Sequence, residues 1–407
     1  MTTLRRFLVV AATAAVPPLV LAAGGSDATT LMTCAEFHWV AAWGAAPGYA
    51  GDAVENQSLR EVVTPTLGGN SARVRLTNRF GRVPVTIDAV YLGRRAAGAG
   101  VVTGTSRRVT FGGQTAVTIP AGADLASDSV AVDVKAFQDL AVTLFAAAST
   151  GPATIHPFAG RTATYTASGD HAAEDDGAAF ASTVTRAWYF LSGVDVFADG
   201  RAGAVVALGD SITGSYRDDT RWPDLLARRL ARAGRTLSVI NAGLNGNRVL
   251  RDATYPPAGP SALSRVALDV LATPRVGTVI VLEGINDIGQ RPPATAPRLI
   301  AGLRKLVARL RARGLRVFLG TLTPSGGNMR GFGTRATVQT RDAVNRWIRR
   351  SATADGVIDF DAALRDPAAP GRLRPRYDSG DHLHPSRAGN QRLAGAVDPK
   401  RLRGPAC

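Results

Sequence analysis

The chain has 407 residues, 45% hydrophobic and 20% charged, with a mean hydropathy of +0.03. That balance excludes a largely disordered chain and a multi-span membrane protein, and 44 glycines without a triplet period exclude a collagen-like rod. The net charge of +16 rests on 48 basic residues, 45 of them arginines scattered singly and in pairs rather than gathered in a tail, so no nucleic-acid partner is expected.

Residues 1–23 run from Arg5 and Arg6 through an apolar stretch, Phe7 to Val16, to Pro17, Pro18 and a small-residue end at Ala22 and Ala23. This predicts a secretory signal peptide, hence a secreted protein with no stable membrane anchor; residues 24–36 would be a linker. The two cysteines, Cys34 and Cys407, either pair and tie the chain ends together or stay as separate thiols.

Residues 37–198 read as short alternating strands between glycine, asparagine and proline turns. The candidates are Ala72–Asn78, Val85–Leu92, Thr115–Ile119, Ser129–Val134, Leu140–Ala146 and Trp188–Val196, with an exposed acidic loop over Gly169–Gly177. Such a run predicts an antiparallel β-sandwich or jelly roll.

From residue 201 to 400 the pattern changes to apolar runs alternating with amphipathic stretches. Strands are predicted at Ala204–Leu208, Leu237–Asn241, Thr278–Leu282, Val317–Thr321 and Val357–Phe360. Helices are predicted at Trp222–Ala233, Leu263–Leu271, Pro297–Ala312, Arg341–Ala354 and about Ser386–Ala396. The alternation predicts an α/β domain with a parallel sheet covered on both faces and a ligand site beyond the carboxyl ends of its strands. Residues 401–407 would be a tail. Charge divides the same way: 14 basic against 16 acidic residues in 1–200 (−2), and 34 against 16 in 201–407 (+18).

The chemistry-bearing residues cluster at predicted strand ends. After the first parallel strand comes Gly209-Asp210-Ser211, which places a serine hydroxyl at a tight turn beside a helix N-terminus. It is not the GxSxG elbow, because Gly214 lies three residues beyond the serine. The second strand ends in Asn241-Ala242-Gly243-Leu244-Asn245-Gly246-Asn247, and the third in Glu283-Gly284-Ile285-Asn286-Asp287, offering backbone and side-chain amides. Of the five histidines only His382 and His384 fall in the second half, and Asp381 precedes His384 by three residues. That spacing lets the carboxylate orient the imidazole as a base. Two histidines and one aspartate so close in sequence are a poor metal set, and no metal is expected.

These blocks, in this order, resemble the SGNH hydrolase superfamily, often called the GDSL esterase/lipase family. The resemblance implies a flavodoxin-like sheet and a Ser211, His384, Asp381 triad. It also implies an oxyanion hole formed by the Ser211 amide, the Gly246 amide and the Asn286 side chain, with no metal or organic cofactor. Gly243 competes with Gly246, and the spacing from Asn241 favours Gly246. Asp210 matches the family's motif aspartate and is expected to be structural. The front half, from His38-Trp39-Val40-Ala41-Ala42-Trp43, resembles an N-terminal β-domain of some secreted SGNH esterases. Trp39 and Trp43 are expected to seal the domain junction rather than to stack on a sugar. The stretch Val249–Ser264, with Pro256, Pro257 and Pro260, is expected to loop over the active site. The expected protein is a monomeric secreted serine esterase acting on short acyl (acetyl or aryl) esters of carbohydrate. A lipase or lysophospholipase is the alternative, and a non-catalytic glycan-binding protein the remote one.

Overall fold

The computed structural model describes residues 36–157, 163–180, 183–214, 220–253 and 258–405. The expected signal peptide, nearly all of the linker, both cysteines, Pro256 and Pro257 lie outside them.

The first half is built from two main antiparallel sheets. One joins His38–Gly44, Leu191–Ala198, Gly69–Thr77 and Val130–Val134, with Asp124–Ala126 also paired to Gly69–Thr77. The other runs through Thr183–Thr185, Thr164–Ser168, Gln57–Val63, Leu140–Ala146, Ala89–Arg94 and Arg107–Arg108. Val74, Leu76 and Val194 of one sheet share a core with Leu92, Val142 and Leu144 of the other. This is an antiparallel sandwich in which alternate residues face inward.

Two predicted strands are each broken in two. Val85–Leu92 divides into Val85–Ile87 and Ala89–Arg94, which belong to different sheets. At the break the Asp88 N–H donates to Phe145 O and its carboxylate accepts the Ala147 N–H, both at 2.8 Å. Trp188–Val196 is interrupted at Phe190, whose φ of 56° no strand residue adopts. The 169–177 loop is not loosely held: the buried Arg60 guanidinium donates to the carbonyls of His171, Glu174 and Asp176. Of the two indoles, only Trp43 lies at the junction, buried edge-on against Trp188 and beside Val239 and Arg221. Trp39 is instead half-buried on the sandwich, between Phe197 and the Arg73 guanidinium. The strand's irregularity between Ala41 and Trp43 breaks the alternation that would have put both on one face.

His156 ends the strand Pro152–His156, 5% exposed, with Nδ1 at 2.5 Å from Ala46 O and its ring against Trp188. Burial, opposed by that hydrogen bond and assisted by the charge of Arg221, lowers its pKa to about 4. Between that value and its unfolded value of about 6.5 the unfolded chain binds the proton and the folded chain does not, so stability falls as pH falls through this window. Wild-type protein should lose about 3 kcal/mol more stability than His156→Gln on going from pH 7 to pH 4. Parallel denaturation midpoints for the two proteins across that range would remove His156 as the cause.

The second half is a five-stranded parallel sheet. In chain order its strands are Gly203–Gly209, Leu237–Gly243, Val276–Leu282, Arg316–Gly320 and Gly356–Ile358, and in space they are ordered second, first, third, fourth, fifth. That is the flavodoxin-like order, with its switch point between the first and third strands. The first three are buried along their whole length. Residues such as Leu226, Leu230, Leu303, Leu306, Val344 and Ile348 from the flanking helices complete one core with them.

The helix expected at Arg341–Ala354 spans Arg335–Arg350, because the Thr334 side chain caps it by accepting the Thr337 N–H. The stretch Leu263–Leu271 is an α-helix, Ala262–Val266, that widens into a π turn over Ala267–Leu271. Residues 402–405 are packed rather than tail-like: Leu402 is buried, and the Thr278 hydroxyl bridges the Arg403 N–H and C=O. No helix among the described residues is long and apolar enough to cross a membrane.

The halves meet along the strand Leu237–Gly243. Ser238 Oγ donates to Ala41 O at 2.5 Å, Thr66 Oγ1 accepts the Val239 N–H at 3.0 Å, and Ala45 forms a parallel bridge with Asn241. Ala41 and Ala46 belong to the core of the second half.

Candidate active site

The first parallel strand ends at Gly209, and the next residues turn at once into a single helical turn, Ser211–Gly214. Asp210 makes the turn: its carboxylate accepts the Ile212 N–H at 2.9 Å, while its carbonyl accepts those of Thr213 and Gly214. The turn lies tight against the second strand's end, where a Cβ on Gly214 would stand 2.7 Å from Gly243 O. Ser211 is thereby presented, half-buried, at the topological switch point.

The Asp378–Pro385 segment brings the histidine to it. Ser211 Oγ lies 2.8 Å from His384 Nε2, and His384 Nδ1 lies 2.6 Å from Asp381 Oδ2. Asp381 Oδ1 accepts three further hydrogen bonds, from the Leu383 N–H (3.0 Å), the His384 N–H (2.8 Å) and Ser379 Oγ (3.1 Å). Partial burial pushes the Asp381 carboxyl up, but hydrogen bonds from the His384 ring and backbone outweigh it and hold the group well below the usual carboxylate range. An ionised Asp381 keeps the proton on Nδ1, so Nε2 faces Ser211 as an acceptor. Asn328, which donates to Asp381 O at 2.7 Å, supports the segment from a neighbouring loop. His382 makes a second pair, Nδ1 to Asp378 Oδ2 at 2.6 Å, and is more exposed than His384.

Amides from the second and third strand ends complete the site. Asn286 is 4% exposed; its Nδ2 donates to Asn247 O and its Oδ1 accepts from Gln290 Nε2, each at 2.9 Å. These two bonds fix the amide plane, and the second Nδ2 hydrogen is left for a ligand. The N–H of Gly243 is already given to Asn241 Oδ1 at 3.0 Å. Gly246 sits in the following turn with a φ of 77°, a conformation that favours glycine, and its carbonyl also receives Gln290 Nε2 at 3.4 Å. Gln290 was not singled out in the sequence; its only signal is that it stands four residues after Asn286, one helical turn on.

Beneath these groups lie three buried acids. Burial raises Asp210 to about 7, against its bond to the Ile212 N–H. It raises Asp287 to about 6, although this carboxylate accepts the N–H groups of Val249 and Leu250. Glu283 is driven well above the carboxylate range by burial and then by repulsion from Asp210. The segment expected to arch over the site is tied down at both ends: Asp287 holds Val249 and Leu250, and Asn247 Nδ2 donates to Ala258 O and Pro260 O.

Residues 207–392 match the profile of the GDSL-like lipase/acylhydrolase family. The second half of the chain belongs to this family, within the SGNH hydrolase superfamily, and the protein is a carboxylic ester hydrolase. No curated protein matches the chain. Among solved structures, an aryl esterase from M. smegmatis is similar at 18% identity with a TM-score of 0.40, over 48% of this chain and 96% of its own. A carbohydrate acetylesterase from Sinorhizobium meliloti is similar at 16% identity with a TM-score of 0.39, over 48% of this chain and 95% of its own.

Proposed function

We propose that the protein is a secreted serine esterase that removes short acyl groups from carbohydrate esters through an acyl-enzyme on Ser211. The observation that carries this reading is the unbroken hydrogen-bonded line from Ser211 Oγ through His384 to Asp381. Ser211 attacks the ester carbonyl while His384 Nε2 takes its proton and Asp381 stabilises the imidazolium. The developing oxyanion is received by the Ser211 and Gly246 amides and Asn286 Nδ2. His384 then protonates the leaving alcohol, and in the second half-reaction activates water against the acyl-enzyme.

The short-acyl, hydroxyl-rich substrate is favoured by what surrounds the triad. Asn286, Gln290, Asn328, Ser379 and His382 are all polar, and they suit a sugar ester better than a long alkyl chain. A fluorophosphonate probe on the mature protein, with hydrolysis of acetyl and long-chain nitrophenyl esters alongside, tests both parts. The expected result is a single adduct on Ser211 and faster turnover of the acetyl ester. Faster turnover of the long-chain ester would favour a lipase, and an adduct elsewhere would displace Ser211.

A further inference from the structure

Arg265 lies on the helix Ala262–Val266, and its side chain is almost wholly buried. Its guanidinium bonds in every direction. Nε donates to Asn247 Oδ1 at 3.0 Å, Nη1 to Ala242 O at 2.7 Å and Asp269 Oδ2 at 3.0 Å, and Nη2 to Gly209 O at 3.0 Å. Three of these acceptors lie at the strand ends and turn that carry the site. Gly209 is two residues before Ser211, and Ala242 and Asn247 stand on either side of Gly246. One rigid, planar fork therefore spans the nucleophile turn and the amide loop and sets the distance between them.

The network continues into the other half of the molecule. The second oxygen of Asp269 accepts from Arg79 Nη1 at 2.5 Å, and Arg79 Nη2 donates to Asp124 Oδ2 at 3.1 Å. Arg79 and Asp124 belong to the β-sandwich. At the far end Asn247, whose side chain Arg265 holds, offers its carbonyl to Asn286 Nδ2. A line of hydrogen-bonded groups thus runs from Asp124 through Arg79, Asp269, Arg265 and Asn247 to Asn286.

We propose that Arg265 is a positioning residue for the oxyanion-binding amides, and that Arg79 of the β-sandwich acts on the reaction through it; this rests on the reading of Gly246 and Asn286 as oxyanion donors. A salt bridge buried this deeply contributes little net stability compared with apolar packing, but its directional bonds fix geometry. The amides must meet the oxyanion within a few tenths of an ångström to act on the transition state.

Replacing Arg265 itself would leave Asn247 Oδ1, Ala242 O and Gly209 O without this donor in the core and endanger the fold, so the informative change is Arg79→Met in the full chain. Its kcat for nitrophenyl acetate should fall about tenfold with KM unchanged, as displacement of catalytic amides predicts. Arg79→Lys should recover part of the loss, and Arg79→Met should have a smaller fold-effect on kcat in an Asn286→Ala background, where only the Gly246 and Ser211 amides remain to be displaced. Asp124→Asn, at the exposed end of the line, should give a smaller loss of the same kind, which keeps the test open if Arg79→Met does not fold. An unchanged kcat, or losses that multiply in the double variant, would overturn the positioning role. Wild-type turnover and labelling of Ser211, measured in the same series, report on the esterase reading separately: their absence would remove that reading, and the positioning role with it.

Discussion

Ser211→Ala should lower kcat for ester hydrolysis by about 10⁵-fold while leaving the unfolding temperature within a few degrees of wild type. The Ser211 hydroxyl is the group placed on His384 Nε2, and a methyl group there offers no lone pair to the carbonyl carbon. The substitution removes one oxygen from a half-buried site and leaves the turn intact, because the turn is made by Asp210 rather than by the serine side chain. A residual rate above the uncatalysed reaction is expected, since the amides at Gly246 and Asn286 are untouched. The measurement is steady-state hydrolysis of nitrophenyl acetate with the thermal melt taken on the same sample. A variant within tenfold of wild-type kcat would end the assignment of Ser211 as nucleophile.

Asp381→Asn should cost about 10⁴-fold in kcat, through the histidine's proton rather than through lost charge alone. Asp381 Oδ1 accepts the N–H groups of Leu383 and His384, so an asparagine must keep its carbonyl oxygen at that position. Its NH₂ group then occupies the Oδ2 position, 2.6 Å from His384 Nδ1. A donor there can be satisfied only if Nδ1 gives up its hydrogen, which moves the proton to Nε2, where it can no longer accept from Ser211. The kcat loss should appear with little change in KM and with the backbone turn preserved. Full activity in Asp381→Asn would mean that something other than Asp381 sets the tautomer.

The parallel sheet was legible because its first three strands are buried on both faces and so read as unbroken apolar runs, as in Gly203–Gly209 and Val276–Leu282. Ser211, Gly246, Asn286, Asp381 and His384 stood out because each lies just after such a run or on a short aspartate-histidine spacing. Less legible were features fixed by one polar atom. The start of the Arg335–Arg350 helix depends on the Thr334 hydroxyl, within a polar stretch that shows no apolar period. The spacing from Asn241 favours Gly246 over Gly243, but that the Asn241 side chain takes the Gly243 N–H is not written in that spacing. The Arg79, Asp269 and Arg265 line is hidden for another reason. Arg79 and Asp269 are 190 positions apart, among many arginines that look alike in the sequence.

The meeting of the two halves along Leu237–Gly243 has a consequence for how the esterase half behaves alone. That strand is outermost in the parallel sheet, and its far side carries main-chain groups with no sheet partner. In the whole chain Thr66 takes the Val239 N–H and Ala45 pairs with Asn241. Cut away from the sandwich, the same strand would present an open edge of unpaired N–H and C=O groups to other molecules, and edge-to-edge aggregation would compete with folding. The β-sandwich therefore acts as an edge cap, and solubility of the isolated second half should depend on replacing it.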